Sequence, residues 1–131
     1  MRIEIEPRPC PRPRVTKRVT HMPDWYAHYK RRLGQELLAG RTIYQGKYPK
    51  QTPLSLVILF AVTKPKSVKR KYPSVTPDLD NLLKTFMDAA NHVLWEDDCQ
   101  LIDIYASKRY ATKGFIEYQL NEVPLVSLED T

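Results

Sequence analysis

The sequence has little cysteine and no long apolar run. Its two cysteines, Cys10 and Cys99, stand alone, in neither a C-x-x-C nor a Cys/His pattern, so we expect free thiols without a disulfide or a structural zinc ion. No apolar stretch approaches the roughly 20 residues that span a bilayer, and the amino terminus lacks the apolar segment of a signal peptide. These absences predict a cytoplasmic protein. With 131 residues the chain should form a single domain, 1–131, which is too small for a doubly wound fold with many strands.

Acidic residues are scarce in the first half of the chain. Residues 1–71 hold 17 Lys and Arg against 4 Asp and Glu, whereas residues 72–131 hold 4 Lys and Arg against 11 Asp and Glu. The net charge of +6 therefore combines a basic half with an acidic half. Solvated surfaces carry charge in any protein, but an imbalance of this size indicates contact with a polyanion such as nucleic acid.

Apolar periodicity locates the first three elements. Residues 1–6 alternate polar and apolar side chains, which is typical of a short strand. Asp24 should cap a helix that ends at Gly40. The apolar run 54–62 is bounded by prolines, so it predicts a strand in the middle of the sheet that is covered on both faces.

The second half of the chain adds one helix and two strands. Helical spacing of apolar residues extends over 80–94, and strand patterns follow over 101–110 and 115–120. Gly114 lies in the turn between these strands and predicts a hairpin, while residues 122–131 should form a flexible tail. The sequence thus predicts an α/β (α+β) fold: a small mixed β-sheet of about four strands with two main helices packed on it, in the order β-α-β-α-β-β.

Two basic segments precede the acidic part of the chain. Residues 7–23 form an arm rich in proline and arginine, in which alternate positions lack an N–H, so we expect an extended, polyproline-like conformation or a disordered leader. The second segment is the lysine-rich loop after the central strand. The candidate DNA-binding residues are Arg12, Arg14, Lys17, Arg18, Lys69, Arg70 and Lys71.

Acidic residues concentrate at both ends of the second predicted helix, with Asp78 and Asp80 before it and Asp97 and Asp98 after it. Carboxylates in contact raise each other's pKa unless a cation neutralises them. A set of oxygen ligands without His or Cys favours Mg²⁺, with Mn²⁺ as a substitute. Because a helix of about 15 residues is roughly 22 Å long, either the next strand runs back along the helix or a second subunit completes the site. The spacing leaves both arrangements open.

Each of these residues also has a simpler structural interpretation. Asp80 could cap the helix, and the segment 96–98 could be a solvated turn. Lys84 could orient a scissile phosphate or the attacking water, but it could also form an exposed ion pair with Asp88 that contributes little. The combination of acids with two basic segments favours the functional interpretation.

These residues resemble the RusA family of Holliday junction resolvases, the crossover junction endodeoxyribonucleases. The family hallmark is approximately D-x-D-N-L-x-K, then D-A, then D-D-x-Q. The matching residues here are Asp78, Asp80, Asn81, Leu82 and Lys84, then Asp88 and Ala89, then Asp97, Asp98 and Gln100. The segment 12–16 is similar to the basic loop of phage-type members.

The resemblance implies an Mg²⁺-dependent endonuclease that resolves four-way DNA junctions in recombination and repair. It implies that Asp78, Asp80 and Asp98 are the catalytic, metal-binding acids, that Lys84 is the catalytic lysine, and that Asp97 is an accessory metal ligand. It also implies a homodimer, which suits the two symmetry-related strands of a junction. It leaves the role of Asp88 open.

Three other functions compete with this one. A non-catalytic binder of branched DNA or RNA would use the same basic segments, but clustered acids would weaken its hold on phosphate. A haloacid-dehalogenase-type phosphatase also uses D-x-D, but at the tip of an apolar strand, whereas a basic, proline-bounded loop precedes Asp78 here. A restriction-type nuclease shares the Pro77-Asp78 pair but carries its second acid and its lysine on a strand.

Overall fold

The computed structural model describes residues 1–15, 20–44, 47–126 and 128–130. The strands are β1 (Arg2–Ile3), β2 (Arg14–Val15), β3 (Thr20–His21), β4 (Leu54–Thr63), β5 (Leu101–Ala111) and β6 (Phe115–Glu122). The α-helices are α1 (Asp24–Tyr44) and α2 (Leu79–Ala90), with short 3₁₀ turns at Asp98–Gln100 and Leu128–Asp130. Two helices and a mixed four-stranded sheet confirm the predicted fold class, and the β2–β3 pair adds a small ribbon.

The sheet is built around β4, as its apolar sequence predicts. The strand order is β1-β6-β4-β5, in which β4 is parallel to β5 and antiparallel to β6. Alternate side chains of β4, among them Leu56, Ile58 and Phe60, are fully buried under the helices. The opposite face is not covered as expected, since Val57 remains 46% exposed.

The predicted hairpin between β5 and β6 is wrong, because β4 lies between these two strands. Residues 112–114 instead cross the end of β4. Adjacent strands are about 4.8 Å apart, so the crossing covers roughly 10 Å, which three extended residues can span. Gly114 permits this path: its N–H donates to Thr63 Oγ1 at 3.0 Å, and a Cβ there would collide with the Glu6 carboxylate.

Helix α1 packs its predicted apolar stripe into the core but is longer than expected. The buried side chains of the stripe are Tyr26, Tyr29, Leu33 and Leu37. The helix passes through Gly40 and continues to Tyr44. Gly40 is buried against the side chain of Met1, which a Cβ at this position would meet. This glycine therefore serves close packing and does not end the helix.

Helix α2 lies across the sheet through Phe86, whose ring centroid is 6.5 Å from that of Phe60 on β4 and 5.3 Å from that of Tyr118 on β6. The helix ends at Ala90, before the predicted Leu94. The backbone leaves the helical region at the C-cap residue Asn91, whose ψ is 133°, and His92 follows with a φ of 66° in the left-handed region.

A closed turn follows α2 and is held by Trp95. The His92 N–H donates to the Trp95 carbonyl oxygen at 2.7 Å, and Trp95 Nε1 donates to Asn91 Oδ1 at 2.7 Å. The Trp95 side chain is fully buried. This turn sets the direction in which the chain enters the acidic segment 96–98.

The proline-rich arm is extended only in part. Its backbone contacts the start of α2, where the Cys10 N–H donates to the Asn81 carbonyl oxygen at 3.3 Å. The Arg8 guanidinium lies over the Trp25 ring, 3.6 Å from its centroid. Beyond these contacts β2 pairs with β3, so the arm contains a short ribbon that the polyproline interpretation did not predict.

Among the ranges described above, no helix is both long enough and apolar enough to cross a membrane. Cys10 and Cys99 are both free thiols, as predicted.

Candidate active site

Asp78 and Asp80 lie at the amino-terminal end of α2. Asp78 is the N-cap residue, with extended backbone (φ −71°, ψ 142°), and its carbonyl oxygen accepts from the Leu82 N–H at 3.1 Å. The predicted N-cap at Asp80 or Asn81 is therefore wrong by two or three residues. The Asp78 side chain makes no capping hydrogen bond. Both carboxylates are exposed at the positive end of the helix dipole, where an acidic group is stabilised. The carboxylate of Asp78 is therefore available to a ligand.

One side of α2 carries the polar residues of the motif. Asp80, Lys84 and Asp88 follow each other at intervals of four residues, which places them on the same side of the helix. At 1.5 Å per residue, Asp80 and Asp88 are about 12 Å apart along the axis. Lys84 is exposed between them. A phosphate that reached Lys84 would therefore meet acidic groups on either side.

The second acidic pair sits on a tight 3₁₀ turn after the helix. Asp97 caps this turn, since its Oδ1 accepts from the Cys99 N–H at 3.1 Å. Asp98 is the first residue of the turn and is half-buried. The pair is therefore presented by a short, hydrogen-bonded turn.

Gln100 fixes this turn, a role that the motif alone did not reveal. Its side chain is 95% buried, and its Oε1 accepts from the backbone N–H groups of Glu96 and Asp97 at 3.0 and 3.1 Å. Its Nε2 donates to the carbonyl oxygens of Pro49 and Thr52 at 2.8 and 3.2 Å. The interval from Asp97 to Gln100 is that of a capping box, which was the available signal in the sequence.

The surroundings of Asp98 disfavour its ionised form. Burial raises its pKa first, and the hydrogen bond and charge of Asp97 together with the charge of Asp88 raise it further. The pKa of Asp97 is instead lowered, chiefly by the hydrogen bond from the backbone N–H of Cys99. Since like charges around Asp98 oppose its ionisation, a bound cation would relieve that repulsion. This is the electrostatic condition that a metal-binding carboxylate presents.

Asp88 belongs to the Asp98 end of the helix. Tyr26, buried on α1, donates its hydroxyl to Asp88 Oδ2 at 3.2 Å. Burial, followed by a hydrogen bond with Cys10, raises the Tyr26 pKa, so the hydroxyl keeps its proton and remains a donor. Asp88 is thus held beside Asp98 and does not pair with Lys84.

The acids of one chain form two groups, one at each end of α2. Within the part of the chain that the structure describes, no three His, Cys, Asp or Glu side chains are close enough together to hold a metal ion. The donors nevertheless fit a hard divalent cation, because all of them are carboxylates. The charges of Asp97 and Asp88 also raise the pKa of Asp98, and a cation would offset their repulsion. In the described part of a single chain, however, these carboxylates do not come together at one position.

The candidate DNA-binding residues belong to two segments, the arm and the loop that leads into α2. Lys69, Arg70 and Lys71 are exposed in the loop 64–78, and Arg70 Nε donates to the Tyr110 hydroxyl at 3.1 Å. Arg12 is exposed in the arm. Arg14 begins β2, and Lys17 and Arg18 lie outside the described residues.

Comparison with protein families assigns the chain to a family. The model of the family described as "Endodeoxyribonuclease RusA" matches residues 4–120, which include both acidic groups, both helices and nearly all of the sheet. The chain therefore belongs to the RusA family.

A curated relative covers a shorter stretch. "Uncharacterized protein YqaN" of Bacillus subtilis (strain 168) is 39% identical over 51 residues, which is 39% of this chain and 36% of that protein. The match thus spans little more than a third of the relative's own length.

Proposed function

We propose that this protein is an Mg²⁺-dependent endonuclease that resolves four-way DNA junctions by paired hydrolysis of two symmetry-related phosphodiesters. The observation that carries the proposal is the placement of Asp78 and Asp80. Both are exposed at the start of α2, the Asp78 carboxylate is not consumed by capping, and a loop with three adjacent cations precedes them. A phosphate guided by Lys69, Arg70 and Lys71 would arrive at these two carboxylates.

We further infer that a second subunit completes each site. The two acidic groups lie at opposite ends of α2, whose 12 residues extend over about 18 Å, and the described part of one chain brings no three acids together. In a two-fold dimer, Asp98 of one subunit can meet Asp78 and Asp80 of the other. Such a dimer has two equivalent sites, which suits a substrate with two equivalent strands.

Asp78, Asp80 and Asp98 would hold the cation, with Asp97 as an accessory ligand. When bound, a divalent cation neutralises their charge, polarises the phosphodiester and lowers the pKa of a coordinated water. Lys84 would orient the scissile phosphate, four residues from Asp80 on the same side of α2. Gln100, which accepts from the backbone N–H groups of Glu96 and Asp97, would hold the turn that carries the second acidic pair. Asp88 accepts from the Tyr26 hydroxyl, and its charge opposes the ionisation of Asp98; it is not assigned as a ligand.

The direct test is cleavage of a four-way junction and of a linear duplex of equal length, each with Mg²⁺ and with EDTA. The proposal predicts paired nicks in the junction only when Mg²⁺ is present, and little or no cutting of the duplex. Tight junction binding without cleavage under any metal would instead support the non-catalytic binder. Equal cutting of both substrates would contradict selectivity for branched DNA.

The basic loop should dominate the salt dependence of junction binding. Each phosphate contact adds about 0.9 to the slope of log K against log salt, so replacing Lys69, Arg70 and Lys71 with alanine should lower that slope by roughly 2.7. The slope is measured by fluorescence anisotropy in EDTA between about 50 and 200 mM salt. The matched control replaces three adjacent cations on α1: Lys30, Arg31 and Arg32. An unchanged slope in the loop variant would show that other residues bind the phosphates.

A further inference from the structure

Lys108 connects the sheet to the segment that leads into Asp78. It lies on β5, and its Nζ donates to the carbonyl oxygens of Val75 and Pro77, both at 2.7 Å. Its side chain is half-buried, unlike the exposed lysines of the loop. The family motif does not include this lysine, and its partners are 33 and 31 residues away in the sequence.

The other backbone bonds within the loop are local. The Val68 N–H donates to the Pro65 carbonyl oxygen, and the Ser74 N–H donates to that of Tyr72. Neither bond determines where the end of the loop lies relative to the sheet, and the bond from Arg70 to the Tyr110 hydroxyl on β5 is made eight residues before Asp78. The two Lys108 bonds do so, because they join the residues just before Asp78 to a strand that is paired with β4 along its whole length. Hydrogen bonds from a charged donor are also the stronger kind.

Strand β5 also starts directly after the turn that carries Asp97 and Asp98. Strand β5 is therefore connected to both acidic groups. It begins directly after the turn of Asp97 and Asp98, and Lys108 links it to the residues before Asp78 and Asp80. We propose that Lys108 is a positioning residue that sets the start of α2, and with it Asp78 and Asp80, relative to β5. The proposal rests on the proposed nuclease function for its effect on activity, but its structural part can be tested without it.

The structural part is tested by amide hydrogen exchange in the metal-free protein. The Leu82 N–H, bonded to the Asp78 carbonyl oxygen, reports on the first turn of α2. Lys108→Met keeps the length of the side chain but removes the donors, and it should speed Leu82 exchange at least tenfold while leaving Leu33 in α1 unchanged. Lys113→Met, which removes a charge from the exposed turn after β5, is the matched control and should change neither amide.

The functional part is tested by junction cleavage with saturating Mg²⁺. Lys108→Met should lower kcat at least tenfold with KM within about twofold of wild type, and Lys108→Arg should recover part of kcat. Should Lys108→Met fail to fold, Lys108→Gln, which keeps one donor, replaces it in both measurements. Unchanged Leu82 exchange, or equal acceleration at Leu33, would overturn the proposal. A wild-type protein that cuts no junction would instead overturn the nuclease function and leave the exchange result to decide the role of Lys108.

Discussion

Replacing Asp80 with asparagine should abolish cleavage of a four-way junction and leave the junction bound. The change removes one negative charge but keeps an oxygen that can accept from the Asn81 N–H, a bond that Asp80 Oδ1 makes at 3.0 Å. The protein should therefore fold normally. Loss of a metal-binding carboxylate should reduce the single-turnover rate at least about a thousandfold, which corresponds to roughly 4 kcal/mol in the activation barrier.

Binding provides the contrast that identifies the role of Asp80. In EDTA the junction affinity of Asp80→Asn should equal or exceed that of wild type, because one charge that repels phosphate has gone. Asp103→Asn removes an exposed acid from β5 and serves as the control, with cleavage close to wild type. If Asp80→Asn cuts at a rate near that of wild type, Asp80 is not a metal ligand. If it loses binding as well as cleavage, its role is structural.

The elements of this fold were predictable where local pattern decides them. The apolar run bounded by Pro53 and Pro65 could only be buried as a central strand, and β4 is central. The turn at Gly114 was equally clear, yet the hairpin prediction failed, because a turn signal does not show whether a third strand lies between its arms. The position of β4 depends on pairing between residues far apart in the sequence, which no local window contains.

Helix ends show the same limit. Gly40 resembles a helix terminator in the sequence, but it is buried against the side chain of Met1, which is far from it along the chain. The end of α2 depends on the burial of Trp95 and on its bond to Asn91. In both cases tertiary contacts override the local signal.

The candidate site divides in a similar way. The intervals of the acids predicted that they lie on either side of α2, and the structure places them there. The capping-box interval was a signal for Gln100 in the sequence, but the bonds of Gln100 and Lys108 to backbone carbonyl oxygens had none, because such acceptors carry no sequence signal. Those partners are 31 to 51 residues away.

Mixing two inactive variants should restore activity if each site is shared between subunits. In a dimer of one Asp80→Asn subunit and one Asp98→Asn subunit, both defects fall in the same shared site. The other site then contains Asp78 and Asp80 from one subunit and Asp98 from its partner, all unchanged. It should nick one strand of the junction but make no paired cut.

The most direct test of the account is therefore the cleavage of a labelled four-way junction by these two variants, alone and after subunit exchange confirmed by mass-tagged chains. The account predicts no cleavage by either variant alone, single nicks from the mixture, and paired cuts from wild type. If mixed dimers form and the mixture remains as inactive as its components, the acids do not converge across a subunit interface, and the proposed site is wrong.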